Sequence, residues 1–303
     1  MGVPIQVKLN KIYLLASVTG NHLQSARDLY NYHIHFDNKQ FIEIHTKEVL
    51  IQTLINIEQE IGENDGPLIH LEAHGLDSQD GLALSNGIEL SSGEQINWEE
   101  IRPYLIAINA KCGNNLTMVM ATCFGMYILQ DLIKTFFDNV VGAQCPFFSF
   151  VGPESDIGVD DFTAAFPVFY KNLFETKSFV WSVQEMNKKS SVRFRCDTAY
   201  MVFEVCANSF ADNQIKNRIQ HMMKNPDIIS DYYCRLYHYT YGIGCDINAV
   251  QRIMQDERFY IDYLNKMKKD FLHVKDGEID RFPVIDKLID FEKSVPVIRT
   301  LIR

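Results

Sequence analysis

Positive charge is scarce in this sequence. Lys and Arg number 29 against 39 Asp and Glu, a net charge of −10 over 303 residues. A surface of that sign repels phosphate backbones, so general nucleic-acid binding is not expected. No C-x-x-C occurs, and the seven cysteines are an odd, widely spaced set. That pattern disfavours a disulfide framework and a zinc ribbon, and free thiols in a reducing cytosol are expected. The opening MGVPIQVKLN lacks the apolar core of a secretory signal. The longest uncharged run, Cys112 to Gln130, is broken by Gly113, Asn114, Asn115 and Gly125. It reads as loop, strand and turn rather than a membrane span. Internal repeats and low-complexity tracts are missing too. The expectation is a cytoplasmic protein with no membrane segment.

What is present is apolar and ordered. Hydrophobic residues make up 47% of the chain, enough for a substantial core. Strand and helix signals alternate. KIYLLASV (Lys11–Val18) and QFIEIHT (Gln40–Thr46) read as strands, and KEVLIQTLINIEQEIG as a helix stopped at Gly62. PLIHLEAHG is a strand begun by Pro67 and closed by Gly75. DGLALSNGIELS suggests a hairpin turning at Asn86-Gly87. NWEEIRPYLIAINAKCG is a helix, LTMVMATCFG a strand ending in a turn, and MYILQDLIKTFF a helix. NVVGAQCPFFSFVG is the next strand and DDFTAAFPVFYKNLFE the next helix. Such alternation predicts an α/β fold, a mostly parallel sheet flanked by helices. Strand signals fade after about Val183. The expected division is residues 1–190 for the sheet domain and 191–303 for a helical C-terminal region.

HLEAHG, His70 to Gly75, is the most informative stretch. Strand periodicity puts Ile69, Leu71 and Ala73 on one face, and His70, Glu72 and His74 on the other. A zinc-protease helix needs H-E-x-x-H, and the Glu here stands one position too late. A strand metal site would still want a further ligand and an open position, so no metal is expected. His70 suits a core histidine satisfied by a neighbour. His74 closes the strand, and reactive groups of a parallel sheet gather at the strands' carboxyl ends. Gly75 lets the backbone turn there and leaves its N–H free for a ligand. TMVMATCFG carries Cys123 to the same rim. It precedes a glycine turn and a helix, whose N-terminus favours a thiolate. The competing reading of Cys123 is an inert buried thiol. A Cys–His pair needs two strands that deliver both side chains to one place, not adjacency in sequence.

These blocks resemble those of caspase-like (clan CD) cysteine peptidases, and most closely the CHAT branch. PLIHLEAHG resembles the apolar-strand–His-Gly block, and TMVMATC the apolar-strand–Cys block. DGLALSNGIELSS is similar to the Gly-Leu-x-Leu hairpin, and NVVGAQCPFFSFVGPESD and FPVFYKNLF follow in the family's order. The resemblance covers about residues 10–190. It departs at Thr122, where Ala is usual before the Cys, and in the missing Trp of the CPFFSFVGPESD loop. No tetratricopeptide pattern precedes the domain.

The resemblance implies a cysteine endopeptidase with a His74–Cys123 dyad and no cofactor. Cys123 would attack the scissile carbonyl, and His74 would protonate the leaving amine and activate water. The backbone N–H groups of Gly75 and Cys123 would form the oxyanion hole. In related enzymes the residue two before the Cys helps line the pocket for the P1 side chain, the residue preceding the cut. Here it is Ala121, without charge. Asp156, which matches a recurring CHAT aspartate, and Glu72 are the expected sources of charge for substrate binding. Asp160 and Asp161 are further candidates for that charge, the competing reading being a solvated loop or helix cap, which is preferred for Asp161.

Cys112, Cys145, Cys196, Cys206, Cys234 and Cys245 have no comparable context, and the last four are assigned to packing in the helical half. The aromatic run YYCRLYHYTYG (Tyr232–Gly242) reads as core or interface. Segment Phe148–Asp161 is expected to be a mobile specificity loop. The substrate would be a protein or peptide. Family company adds a regulatory protein partner and a role in defence, such as antiviral defence, or regulated death. Two alternatives remain: a catalytically silent caspase-fold scaffold, or another thiol amidohydrolase using the same dyad.

Overall fold

A computed structural model describes residues 8–76, 87–138, 142–210, 226–246, 249–275 and 282–285. The first strand, β1 (Lys11–Ser17), buries six consecutive side chains, which makes it central to a sheet covered on both faces. Helix α1 (Gly20–Asp28) runs into a π-helical turn, Leu29–His33, and β2 (Lys39–Glu43) follows at the sheet edge. Helix α2 (Lys47–Glu60) is capped by the Thr46 hydroxyl, which accepts from the Val49 N–H.

Strand β3 (Pro67–Gly75) leads to a small hairpin, β4 (Gly87–Glu89) and β5 (Gln95–Asn97). Helix α3 (Trp98–Lys111) starts with the Glu100 carboxylate reaching back to the Asn97 N–H at 2.9 Å. Then come β6 (Thr117–Ala121), α4 (Ile128–Asp138), β7 (Ser149–Pro153), α5 (Val159–Thr176), α6 (Phe179–Asn187) and β8 (Phe194–Thr198). The sheet order is β2-β1-β3-β6-β7-β8. All neighbours are parallel except β7 and β8. This mostly parallel sheet flanked by helices is the expected architecture, and it is consistent with a caspase-like fold.

The chain divides into two compact units. One comprises Met1–Leu132 with Cys145–Ala199, the other Ile133–Gln144 with Tyr200–Arg303. The division at Ala199 differs from an expected boundary at 190, because β8 pairs antiparallel with β7 and so belongs to the sheet. Cys196 consequently lies in a strand, not in the helical half. The second unit contains a helix over residues 199–210 (α7), α8 (Pro226–Tyr241), α9 (Val250–Gln255) and α10 (Glu257–Phe271). Its aromatic run is largely packing. Tyr233 is buried, Tyr237 stacks on Phe259, and the Tyr241 hydroxyl donates to Asp262.

One expectation is corrected, and another lies partly outside the described residues. The described hairpin turns at Ser91–Gly93, where Leu90 and Glu94 are bonded across it, while Gly87 opens β4. Asn86, like the rest of 77–86, lies outside the described residues. Cys145 sits in a buried loop ahead of β7, not in a strand.

One face of the sheet packs on α1, α5 and α6. Ile12, Leu14, Ala16, Leu68, Val119 and Val151 meet Phe162, Phe166, Phe169 and Tyr170 there. Each fully buried Phe of this kind stabilises the fold by ~1.5–3 kcal/mol relative to exposure. On β3 this is the face of His70, Glu72 and His74.

Candidate active site

Register decides where the site lies. Glu72 of β3 pairs with Ala121 of β6. His74 stands two residues further along β3, and Cys123 two residues further on in the turn just past the end of β6, so both lie at the carboxyl rim. Both line a single cleft with Val18, His22, Glu72, Ala73, Ala121, Ile157, Gly158 and Phe162. The free space in it is ≈ 20 Å³, about enough for one water molecule.

Cys123 is presented on a strained turn. Strand β6 ends at Ala121, and Phe124 adopts the left-handed conformation at φ 55°, ψ 28°. That conformation costs a non-glycine residue on the order of 1 kcal/mol. The Gly125 N–H closes the turn onto the Thr122 carbonyl at 3.0 Å, and the Phe124 N–H donates to the Ser155 carbonyl at 3.1 Å. On the other side Gly75 abuts the turn so closely that a Cβ there would overlap the Cys123 carbonyl oxygen. Glycine at 75 is therefore required by the approach of two backbones.

The thiol has four neighbours. The Ile157 N–H donates to Sγ at 3.5 Å, and the Ile157 carbonyl lies 3.9 Å away as acceptor. The Asp156 carboxylate and the Gly75 N–H stand near enough to act on its proton affinity. Burial pushes the Cys123 thiol above its ordinary range. The Ile157 N–H opposes this, the Asp156 charge and hydrogen bond reinforce it, and the Gly75 N–H opposes it again. The resting group is a thiol.

Asp156, expected as a pocket or loop-positioning residue, is a neighbour of the sulfur. Segment Phe148–Asp161, expected to be mobile, is mostly regular. It holds buried β7, a short loop tied to the cysteine turn, and the first turn of α5. Asp161 bonds the Ser190 hydroxyl and the Ser191 N–H, both at 2.8 Å. Burial raises its pKa, but these bonds together hold it below the usual carboxylate range.

Glu72 is 2% exposed, and neither carboxyl oxygen has a hydrogen-bond partner among the described residues. Burial pushes its pKa up to about 9, so it is a neutral acid at pH 7. His70 is a core histidine satisfied at one ring nitrogen, its buried Nε2 having no hydrogen-bond partner among the described residues. Its Nδ1 bonds the Tyr170 hydroxyl at 2.8 Å, and burial lowers its pKa to about 3. Among the described residues no three His, Cys, Asp or Glu side chains are placed to hold a metal ion.

His22 and Ile157 belong to the cleft, and neither is evident in the sequence. The signal that finds His22 is positional: it follows β1, the strand beside β3, at the same rim. All seven cysteines are free thiols. Burial raises Cys112 to about 11, and Cys196 and Cys206 to about 12, so Cys123 is the one set among backbone donors at a rim cleft. Among the described residues no helix is long and apolar enough to cross a membrane. No protein-family model matches the chain, and no curated protein matches it by sequence.

Proposed function

We propose that the chain is a caspase-like cysteine endopeptidase of the CHAT type, working through a His74–Cys123 dyad. One observation carries the reading: His74, near the end of β3, and Cys123, in the turn after the adjacent parallel strand β6, line one cleft. Cys123 gives its proton to His74, and sulfur bonds the scissile carbonyl carbon. The oxygen of that carbonyl takes the negative charge, and the backbone N–H groups of Gly75 and Cys123 receive it. Collapse of the intermediate breaks the C–N bond, and the His74 proton goes to the leaving amine. Water, losing a proton to neutral His74, then attacks the thioester, which releases the carboxylic product. The thiolate recovers the proton from His74.

Buried Glu72 and its strand partner Ala121, both lining the cleft, supply the P1 pocket. A Lys or Arg side chain entering there would pair with Glu72 and drive its ionisation. The cleft must widen for this, since it now has room for one water.

The test is cleavage of a peptide library by wild type, Cys123→Ala and His74→Ala. Both variants are expected to lose cleavage by at least 10³-fold while keeping the wild-type melting temperature. Retained cleavage in Cys123→Ala ends the reading. The closed cleft and the protonated thiol also favour a second reading, a catalytically silent scaffold. An active-site thiol probe separates the two: an enzyme labels selectively at Cys123 once a peptide opens the cleft. A regulatory partner or second copy of the chain, acting in defence or regulated death, belongs to the same proposal. It is tested by titrating peptidase rate against protein concentration and candidate partners, and a flat specific activity would remove it.

A further inference from the structure

The His74 imidazole has little to hold it. It stands exposed at the end of β3, with two side-chain torsions to fix. In a nucleophile–base pair a third group normally orients the base, usually by a hydrogen bond. Among the described residues no hydrogen bond reaches the His74 ring. What touches it is a second imidazole. The ring centroids of His22 and His74 are 5.6 Å apart and the planes cross at 76°, an edge-to-face contact.

The backbone fixes His22 in this place. It sits in the first turn of α1, directly after β1, and Gly20 turns the chain there in the left-handed conformation at φ 58°. Parallel pairing of β1 with β3 sets Ser17 opposite Ala73, so the start of α1 stands level with His74. The His22 ring is half-buried and lines the cleft together with Val18 and Phe162. A side chain anchored on a helix and walled by packing is a stiffer reference than a strand-end imidazole.

We propose that His22 is a positioning residue for His74, its ring forming the wall that confines the His74 imidazole to rotamers facing the Cys123 cleft. The inference rests on the dyad reading of the site. Burial, and after it the charge of His74, lowers the His22 pKa. The helix N-terminus acts in the same direction. His22 therefore stays neutral and does not compete for the proton that His74 must carry.

The experiment compares His22→Ala and His22→Phe with wild type. Loss of the ring is expected to lower kcat about tenfold or more with KM within twofold, and Phe, which restores a flat wall, to recover most of that loss. An equal effect on KM would put His22 among substrate contacts and overturn the proposal. A second measurement needs no substrate. Side-chain couplings of isotope-labelled histidine report the His74 χ1 distribution in the resting protein. One rotamer is expected in wild type and His22→Phe, and averaging in His22→Ala. Should the alanine variant fail to fold, His22→Gln removes the ring at similar volume. A His74 rotamer unchanged by loss of the ring, or already averaged in wild type, overturns the proposal whether or not any peptide is cut. A fixed rotamer lost in His22→Ala, in a protein that cleaves nothing, supports the positioning and removes the peptidase reading instead.

Discussion

Glu72 carries the clearest physical consequence of any single residue here. A carboxyl group with no partner and 2% exposure resists ionisation, and its pKa rises from 4.5 to about 9. The folded state thus holds the proton more tightly than the unfolded one. Its contribution to stability is fully present below pH 4.5 and is lost as pH rises towards 9, by about 1.4 kcal/mol per pH unit. His70 and His22 act the other way: their folded pKa values lie below 6.5, so their contributions are lost only as pH falls. Between about pH 7.5 and 8 both are nearly flat, and the thiols that burial pushes up are still protonated in both states, so the slope there belongs to Glu72. Denaturant unfolding across that range should show wild type losing stability steadily and Glu72→Gln losing little. The same substitution should cost cleavage after Lys or Arg about 10- to 100-fold, and cleavage after neutral residues much less. Equal slopes in the two proteins would mean that Glu72 has a partner or is already ionised.

At the scale of elements, the loop between β7 and α5 is bound to the cysteine turn. Ser155 and Ile157 hold it through backbone bonds, and Asp156 lies against the sulfur. Asp156 adds to burial in holding the proton on Cys123, so Asp156→Asn should lower the thiol pKa. Alkylation by iodoacetamide at pH 7.5 should then speed up ~3- to 10-fold, since the thiolate is the reacting form. Slower or unchanged alkylation would show that the carboxylate does not act on the sulfur. The sequence could not reveal this contact, because loop geometry is set by what the loop crosses. Other parts were legible. The side-chain period of two in HLEAHG separates His74 and Glu72 from Ile69 and Leu71. The apolar run TMVMA brings Cys123 to the same rim. FRCDT was not legible as a strand: it is short, carries Arg195 and Asp197, and sits between helices. Only pairing with β7 makes it β8. The turn at Ser91–Gly93 follows from the pairing of β4 with β5, which no local pattern encodes. His22 escaped notice because its role depends on strand order, which no local pattern encodes.

For the whole molecule, the position of β8 decides where the chain can be cut. A fragment ending at residue 190 loses all five residues of β8 and bares the edge of β7. It also loses Phe194, which is 1% exposed and packs edge-on against Phe166 at 5.5 Å. Removing a buried Phe alone costs ~3–5 kcal/mol, a large part of a domain's total stability. The pairing of Arg195 with Glu154 goes with it. Ending the chain at Ala199, where the first compact unit closes, keeps the six-strand order intact. That cut has its own cost, because α4 continues past Leu132 into the second unit. There Phe136, 0% exposed, packs on Phe203 and Phe271. The 1–199 fragment is therefore expected to fold with a lowered melting temperature and to gain from Phe136→Ser, which removes the newly bared ring. The 1–190 fragment is expected to show no cooperative thermal transition. Circular dichroism melts of both, with and without the Phe136 change, check this ordering. A 1–190 fragment that melts as cooperatively as 1–199 would mean that β8 is dispensable to the sheet.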